Sequence, residues 1–580
     1  MTFQITKISV SYIPPKVFEQ GPNFTIEVIP KKIPYLVREH VIENLKRANN
    51  LVKNVATNQR LEKLNAKAYE NINLDNVDES LNLPHLNKSQ QKAVEEAVKK
   101  PFTVIQGPPG TGKTVVGIHI VYWYFKKNQD FLASSKSFKA NPDQKPPKRP
   151  AILYCGPSNK SVDIVAEQLL KLKGVLKPLR IYCDQMEMRE FPYTGSDLKL
   201  CRKSLRDEKP KEELKNITLM YLVRKPENPF SEEIKKFEQY KLTEDEVETY
   251  RKLLKEAHKH EIQKYDVVLC TCSSALKPEI LAVMDFRQIL IDECAMATEP
   301  EAFIPLVSNN PKQIVLLGDH QQIRPIVQCA LVKKMGMQQS LFERYMDLAI
   351  MLDTQYRMHE EICRFPSEEF YKGILKSGAE RGPRYLLNKY GLPTAILFGH
   401  VQGKEHSLVI STEKGNENSV ANTEEAEQAV CVADLLINQS GVAPEHIAIL
   451  TPYNAQVSEI KKTAEKSGIA NVTVCTIMKS QGSEWPYVIV STVRSCSISD
   501  IESDRPSKAW LGKRLGFITD PNQVNVAITR AQDGLCILGN STLLRCCELW
   551  KRLQDHYYRA HCVVNPASDI KVQSRRLRGE

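Results

Sequence analysis

Eight consecutive residues constrain this chain more than any others. Gly107-Pro108-Pro109-Gly110-Thr111-Gly112-Lys113-Thr114 satisfies G-x-x-x-x-G-K-[ST] at every fixed position. The apolar run Phe102–Ile105 before it has strand character, and Val115–Phe125 after it has helical character. A strand, a glycine-rich turn and a helix N-terminus in that order aim backbone N–H groups and a positive dipole end at a phosphate. A chance glycine-rich turn would lack these flanks. The segment is therefore read as a phosphate-binding loop, with Lys113 reaching the β- and γ-phosphates of a nucleoside triphosphate and Thr114 ligating Mg²⁺.

Such a loop works with acids. Gln288–Ile291 is an apolar, strand-like run that ends in Asp292-Glu293. Two acids after a strand often mark no more than a surface turn, but downstream of a phosphate loop they stand where metal-shell and catalytic carboxylates belong. Asp292 is expected in the Mg²⁺ shell. Glu293 is expected to orient and deprotonate an attacking water.

The surrounding pattern predicts an α/β fold. Over residues 81–335 the strand-like runs Phe102–Ile105, Ala151–Tyr154, Val267–Cys270, Gln288–Ile291 and Ile314–Leu317 alternate with helical stretches, as in a parallel sheet covered by helices. A second alternating region, 336–563, has runs at Ala395–Phe398, His446–Leu450, Val472–Thr476, Tyr487–Val493 and Gly534–Gly539. The first region is interrupted by a basic, proline-rich surface loop, Lys136–Pro150, and by a charged helical insertion from about 184 to 264. Residues 1–32 alternate like strands too few for a stable domain, and read as part of a small β-barrel belonging to a longer parent chain. Residues 33–80 read as stalk helices and a linker, and 564–580 as a tail.

Composition narrows the setting. Lys and Arg number 80 against 69 Asp and Glu, a surplus compatible with a polyanionic partner without demanding one. No run approaches the roughly 18–20 apolar residues that span a bilayer, so no membrane partner is expected. The start, MTFQITKISVSY, lacks the charged and apolar regions of a signal peptide. The 15 cysteines include no CxxC pair, which reads as free thiols in a reducing compartment. An intracellular location, cytoplasmic and/or nuclear, is expected.

Further short segments follow in order. Leu86-Asn87-Lys88-Ser89-Gln90 precedes the phosphate loop, and Gly156-Pro157-Ser158-Asn159 follows the next strand. Asp292-Glu293-Cys294-Ala295 leads to Gly318-Asp319-His320-Gln321-Gln322. Gln355-Tyr356-Arg357-Met358, Thr451-Pro452-Tyr453, Gln481-Gly482-Ser483-Glu484 and Asn525-Val526-Ala527-Ile528-Thr529-Arg530-Ala531 complete the series. Over residues 80–550 the set resembles superfamily 1 helicases of the nonsense-mediated-decay group. The resemblance implies two tandem RecA-like domains that hydrolyse ATP with Mg²⁺ in the cleft between them. It further implies translocation 5′ to 3′ on a single strand of RNA.

Residue roles come with the resemblance. Gln90 would read the adenine edge, Tyr356 would stack on the base, and Glu484 would contact the ribose. The loop residues Gly107 to Thr114 would hold the phosphates, and Gln322 would sense the γ-phosphate. Arg357 and Arg530 would enter from the second domain as arginine fingers, because guanidinium stabilises charge that builds on a transferring phosphoryl group. Pro157, Ser158, Asn159, Thr271, Thr451, Pro452 and Tyr453 would line the nucleic-acid channel, although ordinary turn chemistry also suits Ser158 and Thr271. Met478 departs from the group, which has an acid three residues before Gln481.

Within the group the likeness is strongest to helicase modules of large proteins that also carry an RNase II-like exonuclease. This implies a larger multidomain context, though no such module is visible in this chain. The motifs do not separate an RNA from a DNA helicase, because 2′-OH contacts leave no sequence signature. A third reading, a nucleic-acid-binding or coactivator scaffold with minor ATPase, conflicts with the intact Lys113, Glu293, Arg357 and Arg530, and no LxxLL motif is present.

Overall fold

Continuous apolar runs, rather than alternating ones, make strands that must be covered on both faces, and this favours parallel sheets. The computed structural model describes residues 39, 41–59, 83–135, 148–172, 174–193, 209–327, 329–381, 386–387, 390–412, 415–501 and 506–570. Its first sheet contains β1 (Phe102–Gln106), β2 (Arg149–Gly156), β3 (Pro178–Ile181), β4 (Val267–Thr271), β5 (Met284–Ile291), β6 (Gln313–Gly318) and β7 (Ala349–Met351). The order is β3-β4-β2-β5-β6-β1-β7 and every pairing is parallel.

Between the sheets lie two small pairs, β8 (Thr354–Gln355) with β9 (Lys376–Ser377), and β10 (Leu386–Leu387) with β11 (Pro393–Thr394). The second sheet is built from β12 (Ile396–His400), β15 (Ile447–Thr451), β16 (Thr473–Thr476), β17 (Trp485–Ser491), β18 (Ala531–Gly539) and β19 (Val563–Val564). An antiparallel hairpin, β13 (Glu405–Thr412) and β14 (Gly415–Asn422), leaves it after β12. The sheet order is β16-β15-β17-β18-β12-β19, again all parallel.

The α/β class with two parallel sheets matches the sequence expectation. β3 and β7 were not anticipated; at four and three residues they are too short for a periodicity signal. β7 also carries the first sheet beyond the division expected at 335/336, since Ala349–Met351 pairs with Val104–Gln106. The insertion between β3 and β4 is helical in its described part, with helices at Asp184–Glu190, Ser231–Glu238 and Glu244–Ile262. The 1–32 β-barrel reading, most of the 33–80 stalk, residues 136–147 and residues 571–580 of the tail lie outside the described residues, whereas residues 564–570, read as tail, pack on the second sheet and bury Val564, Ala567 and Ile570. Of the stalk, α1 (Asn50–Thr57) is present and buries Leu51, Val52 and Val55 against the first core.

Parallel strands put all their C-terminal ends on one edge, and ligands of α/β sheets gather there. β1 runs into the phosphate loop, β2 into Pro157, β5 into Asp292 and β6 into Asp319. Helix α2 (Lys88–Lys99) flanks β1. Its start is fixed by a capping box in which Asn87 and Gln90 exchange hydrogen bonds. Helix α3 (Lys113–Ser135) begins at the loop lysine, and α4 (Asn159–Leu170) begins after the Ser158 cap.

Two buried charges test the packing. Arg180 on β3 is 0% exposed. It donates from Nε to Asp163 Oδ1 at 2.7 Å, and from its terminal nitrogens to Ile181 O and Asn159 Oδ1, while stacking on Tyr182 at 3.8 Å. Asp163→Ala strands this guanidinium without a counter-charge and should cost about 3–5 kcal/mol. Urea unfolding checks it; a cost under about 1 kcal/mol would mean that Arg180 is satisfied without the ion pair.

In the second unit, burial pushes the Glu425 carboxyl up to about 8. This holds although Oε2 accepts from Ser491 Oγ and Val493 N, each at 2.7 Å. The proton is thus held more tightly folded than unfolded. The stabilisation is fully present below the ordinary carboxyl range and is lost as pH rises toward 8. Glu425→Gln should therefore remove a decline of at most about 1.4 kcal/mol per pH unit between roughly pH 5 and 8. Denaturant midpoints across that range provide the check, and equal pH slopes in both proteins would refute the assignment.

Candidate nucleotide site and strand-binding surface

The phosphate loop needs backbone angles that L side chains rarely adopt at two points. Gly110 and Gly112 have φ of 75° and 77°. A Cβ on Gly110 would lie 2.5 Å from Arg357 Cβ, and one on Gly112 would lie 2.6 Å from Gln90 Nε2. The loop is thus pressed between the first unit's α2 and an arginine from the second.

Lys113 Nζ donates to Glu293 Oε1 at 2.8 Å. Asp292 Oδ1 accepts from Glu293 N at 2.8 Å, and Oδ2 accepts from the Tyr154 hydroxyl at 3.1 Å. Glu293 holds φ of 50°, a left-handed backbone uncommon outside glycine and frequent at functional turns. Electrostatics divide the two acids. Burial and the neighbouring Glu293 charge push Asp292 up to about 6, against the pull of Lys113. Burial also works to raise Glu293, but the Lys113 charge and hydrogen bond outweigh it and hold this carboxyl below its usual range. Burial opposes the Lys113 charge, yet Glu293 and Asp292 overcome it and raise its pKa.

The second unit completes the cleft from the beginnings of its strands. Trp485 on β17 pairs with Ala531 on β18, so Glu484 and Arg530 emerge side by side. Arg357 Nε pairs with Glu484, and its Nη1 donates to Thr529 O at 3.2 Å. Arg530 is buried; it donates from Nε to Val526 O at 2.9 Å and from Nη2 to Gln322 Oε1 at 3.3 Å. Burial and the positive charge of Arg357 lower its pKa to about 9. Gln481 Nε2 reaches Glu293 Oε2 at 3.3 Å. Asn522 donates to His320 O at 2.7 Å and also to Gln322 O, and Asn525 donates to Gln321 O at 2.9 Å.

A cavity of about 1200 Å³ opens between the units. It is lined by residues 108–114 together with Asp292, Glu293, Gln322, Tyr356, Arg357, Gln481, Glu484 and Arg530. Lys113, Arg357 and Arg530 converge on it with the α3 N-terminus, and Lys160, Lys171 and Lys479 also line it, which fits a triphosphate. Thr114 and Asp292 both face it, and among the described residues no group of three or more His, Cys, Asp or Glu could hold a metal. Tyr356 is 46% exposed at the rim, its hydroxyl accepting from Asn87 Nδ2 at 2.9 Å. Gln90 is buried, with Nε2 donating to Thr111 O and Oε1 accepting from Asn87 N, so its amide already serves the loop and the cap.

The strand-channel candidates stand at strand ends in both sheets. Ser158 caps α4 by accepting from Ser161 N at 3.2 Å, and Asn159 Oδ1 accepts from Arg180. Thr271 Oγ1 shares a hydrogen bond with Ser274 Oγ at 2.9 Å. Cap and turn chemistry therefore accounts for Ser158 and Thr271, and the buried arginine for Asn159. Pro157 and Pro452 directly follow β2 and β15. Thr451 is buried, and among the described residues its hydroxyl has no hydrogen-bond partner. Tyr453 is also buried, its hydroxyl accepting from Arg494 at 3.4 Å beside the 60% exposed Phe517 ring.

Sequence reasoning missed Tyr154, Lys160 and the Asp319–Tyr371 pair. Tyr371 donates to Asp319 Oδ2 at 2.7 Å and accepts from Asn525, which links the units behind Gln322. Asp319 had a usable signal, since it ends β6 as Asp292 ends β5. Tyr154 and Lys160 carry no such signal.

Comparison with known proteins adds family context. AAA domain profiles match residues 85–330 and 337–542. Human "3'-5' exoribonuclease HELZ2" is 47% identical over 97% of this chain and 20% of its own length. The Arabidopsis thaliana "Regulator of nonsense transcripts 1 homolog" is 34% identical over 84% of this chain and 35% of its own. Saccharomyces cerevisiae "ATP-dependent helicase NAM7" is 32% identical over 84% of this chain and 45% of its own. The chain thus spans from a fifth to under half of these relatives.

Proposed function

The chain belongs to the superfamily 1 helicases of the nonsense-mediated-decay group, and on that premise we propose that it is an ATP-driven translocase on single-stranded nucleic acid. The observation that carries this is the meeting, in one cleft, of Lys113 and Glu293 from the first unit with Arg357, Gln481 and Arg530 from the second. Neither unit alone assembles the charges that phosphoryl transfer needs.

In the proposed mechanism, Lys113 exchanges Glu293 for the β- and γ-phosphates of ATP. The released Glu293 carboxylate, steadied by Gln481, takes a proton from the attacking water. Arg357 turns from Glu484 to the phosphoryl group, and Arg530 approaches it with Gln322. Bound Mg²⁺, held through Thr114 and Asp292, would neutralise phosphate charge. Gln90 would have to exchange its bond to Thr111 for the adenine edge, while Tyr356 supplies a stacking face and Glu484, once released, a ribose contact. Pro157–Asn159, Thr271 and Thr451–Tyr453 are proposed to grip the sugar-phosphate backbone. We assign these roles to two RecA-like domains, with the division near residues 335–352.

RNA as the strand is supported by the likeness to a regulator of nonsense transcripts and an exoribonuclease, and we propose that movement along it runs 5′ to 3′. The partial coverage of the relatives supports a module of a larger protein, which we propose to be cytoplasmic or nuclear, with any RNase II-like exonuclease elsewhere in it. No helix among the described residues is long and apolar enough to cross a membrane.

Turnover with single-stranded RNA, single-stranded DNA or neither tests the reading. RNA should stimulate most, and a rate indifferent to both strands would remove the motor. Glu293→Gln should bind Mg-ATP yet turn over very slowly, whereas Lys113→Ala should fail at both steps. Loss of nucleotide binding in Glu293→Gln would make that residue structural.

Arg357→Ala and Arg530→Ala should each lower turnover by up to about 10³-fold, with much smaller changes in affinity for a non-hydrolysable analogue. Lysine should not restore either, because a point charge lacks the planar fork. Near-normal turnover in both variants would contradict the two-unit mechanism.

A further inference from the structure

Lys160 lies in the first turn of α4, immediately after the Pro157–Asn159 turn, and the mechanism above does not use it. Its ammonium crosses the cleft. It donates to Gln481 O at 2.8 Å, Lys479 O at 3.2 Å and Ser483 Oγ at 2.7 Å. A lysine has three donors, and these three acceptors are neutral and belong to one segment, the end of the Ile477–Ser480 helix and the loop after it. α4 meets that loop a second time, because a Cβ on Gly482 would stand 3.6 Å from Ile164 Cδ1. The same loop carries Gln481, whose amide reaches Glu293, and leads into Glu484, which pairs with Arg357.

The other end of the connection is equally fixed. Ser158 caps α4, and Asn159 is tied to the buried Arg180. A displacement of the turn after β2 therefore moves the helix start on which Lys160 sits. We propose that Lys160 is a positioning residue that ties the strand-gripping turn to the Lys479–Ser483 loop, so that the bound strand sets where Gln481 stands against Glu293. This rests on the reading of the cleft as a strand-stimulated ATPase.

Lys160→Met keeps the aliphatic stem and removes the three donors, on a side chain outside the core. Strand-stimulated kcat should fall about tenfold or more, since small misplacements of catalytic groups are costly. KM for ATP and affinity for the strand should change by no more than about twofold, the ordinary scatter of independent sites. In a Gln481→Ala background the same change should add less than about twofold, as expected when one residue acts through the other. An unchanged kcat, a loss confined to KM, or a full multiplicative loss in the double variant would each overturn the proposal. A wild-type chain without strand-stimulated turnover would fail the underlying reading instead. Energy transfer between fluorophores on the two units then decides the tie itself. Lys160→Met should lower transfer efficiency in nucleotide-free protein, and unchanged efficiency overturns it.

Discussion

The site depends on a shortage of positive charge. Asp292 and Glu293 sit side by side in a buried setting, and Lys113 bonds to Glu293 while acting on Asp292 only through its charge. One ammonium cannot satisfy two carboxylates equally, so Glu293 is kept ionised while Asp292 is pushed upward. In the proposed function, a polyphosphate with its metal would give Lys113 an anion and Asp292 a cation to face. The resting cleft is therefore built around an imbalance that the proposed substrate resolves.

Topology delivers the groups to that place. The first unit offers the C-terminal edge of its sheet, where the phosphate loop, Asp292 and Asp319 end neighbouring strands. The second unit turns the opposite edge toward the cleft, because Glu484 and Arg530 precede β17 and β18. Thr451 and Tyr453 stand at the other edge of that same sheet, after β15. In the second unit, then, the nucleotide face and the proposed strand face are separated by the length of the strands, and a small rotation of a stiff sheet reaches both.

Much of this was legible because it is local. A phosphate loop is eight residues with fixed spacing, and a strand that ends in acids is read in one glance at Gln288–Glu293. The long buried strands announced themselves by apolar runs; β3 and β7 did not, since three or four residues carry no period. Tyr154 was hidden for a different reason. It looks like any strand tyrosine until the fold sets its hydroxyl against Asp292. Lys160 likewise has partners more than 300 residues away. Gln90 shows how two readings can share one residue, since its spacing from Asn87 is also that of a helix cap, and the cap is what its side chain forms here.

The asparagines of the Pro521–Ile528 helix give the cleft a property its charged residues lack. Asn522 and Asn525 hold the His320–Gln322 carbonyls through neutral amides. Neutral hydrogen bonds are not weakened by counterions in the way that phosphate contacts are. Under the proposed function, ionic strength would therefore weaken the hold on a polyanion while sparing these amide contacts between the units. Loss of a bound strand and loss of these amide contacts would then answer to different forces.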